Sequence, residues 1–189
     1  MKGQLMFLRR KPARESAPDC GHAADLLRKQ LTAGGGLPVT TAPGLPLEHG
    51  EIAYADSICG TARRYATPVA YPRPAGYYED HPAFGRRWVS NPRLTARRNR
   101  TAEADARERW RDQTSARVVL TSVGLRIKPA GTGVWLPFDH SLLTAVVPSP
   151  EQLSVELSYS VCAPLLLSGP SVPWLTVAIE HLTAPSTGP

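Results

Sequence analysis

Leu153-Ser154-Val155-Glu156-Leu157-Ser158-Tyr159 alternates apolar and polar side chains at every position. Successive strand side chains point to opposite faces. The stretch therefore predicts a half-buried strand, with Leu153, Val155, Leu157 and Tyr159 toward a core and Ser154, Glu156 and Ser158 toward water. On a helix the same residues would scatter around the whole circumference.

Working outward, Arg117-Val118-Val119-Leu120-Thr121 is short and β-branched, as strands are. Ser122-Val123-Gly124 can turn the chain, and Leu125, Arg126, Ile127 and Lys128 then alternate again. Pro129 to Gly133 is a strong turn signal. Val134-Trp135-Leu136, Leu142 to Val147 and Ala163 to Leu167 follow at hairpin spacing, the pattern of an all-β barrel or sandwich. The period changes at the end. Leu175, Ala178, Ile179 and Leu182 fall at i, i+3, i+4 and i+7, one helical face. Ser171 is placed to cap that helix, Pro173 fits its first turn, and Pro185 and Gly188 mark its stop. A mainly β fold is expected, a small barrel plugged by a C-terminal capping helix.

Glu51-Ile52-Ala53-Tyr54-Ala55 predicts a first strand that pairs with this array across an insertion at about residues 60–113. Residues 1–47 read as a flexible, largely disordered tail. It carries a basic cluster (Arg9-Arg10-Lys11 and Arg14) and one short helix from Asp19 to Leu31. Ala23, Leu26, Leu27 and Gln30 share a side of that helix, and Gly34-Gly35-Gly36 ends it. The glycines are followed by no Gly-Lys-Ser/Thr, so a linker is expected and not a phosphate loop. Residues 48–183 form the domain and 184–189 a short C-terminal tail.

The nineteen prolines and fifteen glycines concentrate outside the strand array, which predicts irregular structure there, above all at 60–92. In that segment Tyr65, Tyr71, Tyr77 and Tyr78 lie among Arg63, Arg64 and Arg73. Interleaved aromatics and cations suit single-stranded nucleic acid, through stacking plus charge. They equally suit a lipid interface, where Tyr and Trp collect. The plainer alternative is an irregular loop whose tyrosines pack on the barrel wall.

Asn91-Pro92 then opens a helix expected to run to about Gln113. Arg93, Arg97, Arg98 and Arg100 crowd its first half, where the helix dipole opposes cations. An anionic partner would offset that cost; a solvated face is the alternative. Glu103 with Arg107, and Asp105 with Arg109, form i, i+4 pairs of the favourable order. Ala102, Ala106 and Trp110 supply a narrow apolar stripe, with Trp110 anchoring this surface helix to the core.

Several features resemble the pleckstrin-homology and GRAM-like superfold, and a group of uncharacterised actinobacterial proteins that carry such a domain. They are Gly50-Glu51 opening a strand, Trp110-Arg111 before Arg117 to Thr121, Trp135-Leu136, and Leu167-Ser168-Gly169-Pro170 before Trp174. The resemblance spans about residues 48–183 and departs between Gly60 and Trp88, where Arg, Tyr and Pro replace an apolar, glycine-rich stretch. It implies a docking role at a membrane or on a protein, and it implies no catalytic residues.

The net charge of +6 and pI near 9.5 favour acidic partners. Basic background from a GC-rich genome is the other source of such charge. Cys20, Cys59 and Cys162 are distant and odd in number, which is not a disulfide framework. With only four apolar residues in a row at the start (Leu5 to Leu8), no secretory segment is read, and a cytoplasmic protein, peripheral to the membrane, is expected. No stretch approaches the ~20 apolar residues of a membrane span. Cys20 and His22 are the one close Cys/His pair, so no metal site is expected. Asp139-His140-Ser141 and Glu79-Asp80-His81 contain catalytic residue types, but adjacency in sequence works against a relay assembled in space. No cofactor, no small-molecule substrate and no enzymatic role are predicted.

The expected function is a binding module. Arg93, Arg97, Arg98 and Arg100 would hold the anion, Tyr77, Tyr78 and Trp88 would be interfacial anchors, and the partner would be an anionic lipid surface or a protein. The alternative is an accessory of an actinobacterial plasmid or mobile element, acting in transfer or spread and binding nucleic acid without sequence specificity.

Overall fold

The computed structural model describes residues 20–184. Arg9, Arg10, Lys11, Arg14, Asp19, Pro185 and Gly188, singled out above, lie outside the described residues.

The elements in chain order are α1 (Cys20–Thr32), β1 (Ala53–Tyr65), β2 (Gly76–His81), β3 (Gly85–Ser90), α2 (Pro92–Ala106), β4 (Arg109–Thr121), β5 (Gly124–Pro129), β6 (Leu136–Asp139), β7 (Leu143–Ser149), β8 (Ser154–Tyr159), β9 (Leu165–Ser168) and α3 (Val172–Thr183). Seven strands form one antiparallel sheet in the order β6-β5-β4-β1-β9-β8-β7, and β2 and β3 form a separate hairpin. The protein is mainly β, and each strand expected from the sequence has a counterpart, although the one read at Val134 to Leu136 begins only at Leu136 and runs on to Asp139.

The sheet does not close, which corrects the expectation of a closed barrel: β6 and β7 are unpaired edges. Yet one 3-10 turn, His140–Leu142, joins those two edges. Four Cα steps span at most about 14 Å, so the sheet must curl until its ends approach. Phe138 on β6 duly reaches across to Tyr159 on β8, with ring centroids 5.3 Å apart. Proline at 137 removes a strand donor and keeps β6 short, which limits pairing at this edge.

The core fills the concave side. Val118, Leu120, Leu125, Ile127, Val155, Leu157, Leu165 and Leu167 come from the sheet, and Leu175, Ala178 and Ile179 from α3. Burying each Leu or Ile fully contributes about 1.5–3 kcal/mol. Ser171 stands at the cap position of α3, but its hydroxyl makes no capping bond.

The tail reading fails from residue 20 onward. Ala24 and Leu27 of α1 are buried in the same core. The following segment crosses the convex face of the sheet as a strap. Leu45 packs there with Ala53 and Val119, which explains why Val118-Val119-Leu120 is apolar without a break. Trp135 Nε1 donates to the Gly44 carbonyl at 3.1 Å, and Arg117 Nη1 to that of Pro43 at 2.8 Å.

At the strap's end Glu51 is buried against Arg126 at 3.0 Å. Thr121 Oγ1 donates to the Glu51 carboxylate at 2.6 Å, and Arg126 also meets Asp139 at 2.8 Å.

Two local expectations shift as well. Leu153 lies outside β8 with φ of 46°, in the left-handed region, and is partly exposed. Ser154, expected toward water, is buried. The alternation from Val155 to Tyr159 holds.

Candidate functional site

β1 and β4 are the longest strands, thirteen residues each, and their ladder runs from Ala53 opposite Thr121 to Tyr65 opposite Arg109. The insertion starts only where this ladder ends. It covers 66–108, narrower than the 60–113 expected, and it holds the β2–β3 hairpin and α2.

The hairpin corrects the irregular reading of 60–92. Gly85 has φ of 65° and follows the three residues Pro82-Ala83-Phe84, while the Phe84 amide donates to the His81 carbonyl at 3.2 Å. That is a three-residue hairpin loop with glycine at the left-handed position. Tyr78 and Trp88 pair across the strands in an edge-on contact, with centroids 5.1 Å apart, and the Arg86 guanidinium sits 4.6 Å from the Tyr78 ring. Gly76 lies under the Trp88 indole, where a Cβ would meet the ring and the Val89 carbonyl.

Tyr77, Tyr78 and Trp88 are 55, 60 and 48% exposed, and none of them belongs to the hydrophobic clusters of the main sheet. Phe84 at the hairpin tip is 76% exposed. Sequence reasoning passed over Phe84 and Arg86. The signal was there, a proline-initiated turn closed by glycine between two alternating runs, but four nearby prolines masked it.

α2 begins as predicted, with Asn91 Oδ1 accepting from the Leu94 amide at 3.0 Å and Pro92 in the first turn. The Asn91 amide donates to the Ala75 carbonyl at 2.7 Å, and the Ala75 amide to Thr95 Oγ1 at 2.9 Å. The helix start is thus tied to the hairpin's base. It stops at Ala106 rather than Gln113. Trp110 is therefore a half-buried residue of β4, opposite Arg64, whose guanidinium lies 5.4 Å from its ring; it is not a helical anchor. Arg111 fastens the other end, donating to the carbonyls of Asp105, Arg107 and Tyr65. Cations at a helix C-terminus favour the dipole. Asp105 meets Arg109 at 3.3 Å as expected. Glu103 makes no ion pair with Arg107 among the described residues and accepts instead from the Tyr71 hydroxyl at 3.3 Å.

Helical spacing puts Arg93, Arg97 and Arg100 within a narrow arc, with Arg98 on its flank. All four are exposed. The opposite face carries Thr95, Asn99, Ala102 and Ala106 inward. Arg97 and Arg98 flank a groove of about 330 Å³ between α2 and Ala70–Pro72.

The pairing of arginines divides the molecule. Arg28, Arg64, Arg87, Arg109, Arg117 and Arg126 each face a carboxylate. Among the described residues, every arginine without such a partner falls between positions 63 and 111. Residues 71–100 alone hold seven arginines and two carboxylates, a net of +5 against +6 for the whole chain.

The catalytic-looking trio does not assemble. The Asp139 carboxylate goes to Arg126, and His140 Nε2 to the Thr121 carbonyl at 3.2 Å. Burial pushes the His140 pKa down. No group of three His, Cys, Asp or Glu side chains among the described residues is placed to hold a metal ion. No helix among them is long and apolar enough to cross a membrane. Compared with known proteins, the chain matches no family model and no curated relative.

Proposed function

We propose that this protein is a non-enzymatic docking module that sets its β1–β4 insertion on an anionic membrane surface. The observation that carries the reading is the concentration of arginines without a carboxylate partner on the insertion, where all but Arg63 and Arg111 of them lie, beside exposed Tyr77, Tyr78, Phe84 and Trp88. Cations draw the surface in, and amphipathic rings settle at headgroup depth. Arg97 and Arg98 both line the groove between α2 and Ala70–Pro72, and Asp105, the one carboxylate of that lining, already faces Arg109.

The strand order supports the pleckstrin-homology-like part of the reading. With the hairpin set aside, a four-strand meander joins a three-strand meander through β1, and α3 plugs the core.

Co-sedimentation with anionic vesicles tests the proposal. Replacing Arg93, Arg97, Arg98 and Arg100 together by Gln removes about 1 kcal/mol each near such a surface, so binding should weaken roughly a thousandfold. An unchanged affinity overturns it. Displacement of the wild-type protein from vesicles by short single-stranded DNA would move the mobile-element reading ahead.

A further inference from the structure

A second recess lies on the main sheet, where β4 bulges. Thr61 pairs with Thr114 and Arg63 with Arg111, so Ala62 alone stands opposite Asp112 and Gln113. Asp112 takes the left-handed conformation, φ 53°, that such a bulge demands. The bend opens a groove of about 440 Å³ between the curled β6 edge and the far end of β1. That volume falls within the range of about 300–1,000 Å³ typical of small-molecule sites.

The groove has two chemical ends. Ile127, Leu136, Phe138 and Leu165 line an apolar trough. Arg63 stands at its rim. Its Nε donates to the Ala163 carbonyl at 3.1 Å, and its guanidinium lies 5.2 Å from the Phe138 ring centre. These contacts fix the side chain while its terminal amino groups keep no protein acceptor among the described residues. Asp112, the one carboxylate that lines the groove, accepts from the Tyr65 hydroxyl at 2.7 Å and makes no ion pair with Arg63. The groove therefore presents a held guanidinium with no ion-pair partner among the described residues, at the rim of a trough where Leu136 is the exposed apolar side chain. A planar fork of donors matches a carboxylate.

We propose that this groove binds a single-chain amphiphile with a carboxylate head, its head on Arg63 and its chain along Leu136 and Phe138. The site is separate from the α2 arginines and does not rest on membrane docking.

Titration calorimetry of the full chain with monomeric dodecanoate, without vesicles, tests it. Dodecyltrimethylammonium and dodecyl maltoside serve as cationic and neutral controls. Saturable dodecanoate binding is expected, stronger than that of either control. Arg63→Gln should weaken it by about tenfold or more, the scale of one charge-assisted hydrogen bond. Leu136→Trp, at a partly exposed position that tolerates bulk, should fill the trough and abolish it, with thermal unfolding confirming the fold. The α2 arginine variant should bind as wild type, which separates this site from the membrane surface. No dodecanoate binding, equal binding of the cationic amphiphile, or binding indifferent to Leu136→Trp would overturn the assignment.

Discussion

Glu51 fastens the strap to the sheet. Its side chain is 1% exposed, beside an Arg126 side chain 9% exposed. Removing one partner of a buried pair strands the other charge, at a cost of about 3–5 kcal/mol. Asp139 still faces Arg126, so Glu51→Ala should cost about 3 kcal/mol in denaturant unfolding, the lower end of that range. A loss below about 1 kcal/mol, the scale of exposed pairs, would show that the strap is not held there.

His140 gives a pH signature. Desolvation lowers its pKa from the ordinary 6.5, outweighing the Thr121 carbonyl and Asp139, which raise it; Arg126 lowers it further. The unfolded chain therefore binds the proton more readily. Stability from this group is present above about pH 6.5 and is lost as pH falls from there toward the depressed folded value. His140→Gln, which keeps a donor for the Thr121 carbonyl, should flatten this part of the stability profile. An unaltered profile would assign the fall to other groups. Neither Glu51 nor His140 was legible as a pair-forming residue, because their partners lie in distant strands or depend on the sheet's curl.

Among the elements, the strands and α3 were readable because alternation and the 3.6-residue period each bury one face. The end of α2 was not. No Gly or Pro stands between Arg93 and Arg117, and helix propensity runs on through Arg107 to Gln113. Pairing with β1 decides the matter, since residues 109–121 find a ladder partner along nearly the whole of that strand. Tertiary pairing overrides local propensity here. The strap was unreadable for a similar reason: two side chains, Leu45 and Glu51, and a few carbonyls hold it.

The hairpin depends on Gly76. A methyl group there meets the Trp88 ring and the Val89 backbone. Gly76→Ala should displace Trp88, lower vesicle affinity and leave the melting of the main sheet nearly unchanged, since the hairpin forms its own small sheet. Matched circular dichroism melts and vesicle sedimentation read both effects. Equal loss of melting temperature and affinity would place the hairpin within the main cooperative unit.

At the scale of the whole molecule, charge and stability are separated. Most paired arginines brace the curled sheet and its attachments, while most of those without a carboxylate gather on the insertion at the end of the longest ladder. The four α2 arginines and the aromatic residues Tyr77, Tyr78 and Trp88 were legible in the sequence as a basic, aromatic segment. Their common support was not, because it rests on the long β1–β4 ladder and on the hydrogen bonds that Ala75 makes to Asn91 and Thr95.

The most direct measurement is amide hydrogen exchange on the full chain, with and without phosphatidylserine-containing vesicles at low salt. Docking through the insertion predicts slowed exchange in residues 76–90 and 93–100, reversed by added salt, with β7 and α3 unaffected. Slowing confined to β7 and α3, or no slowing in the insertion while the protein is vesicle-bound, would contradict it.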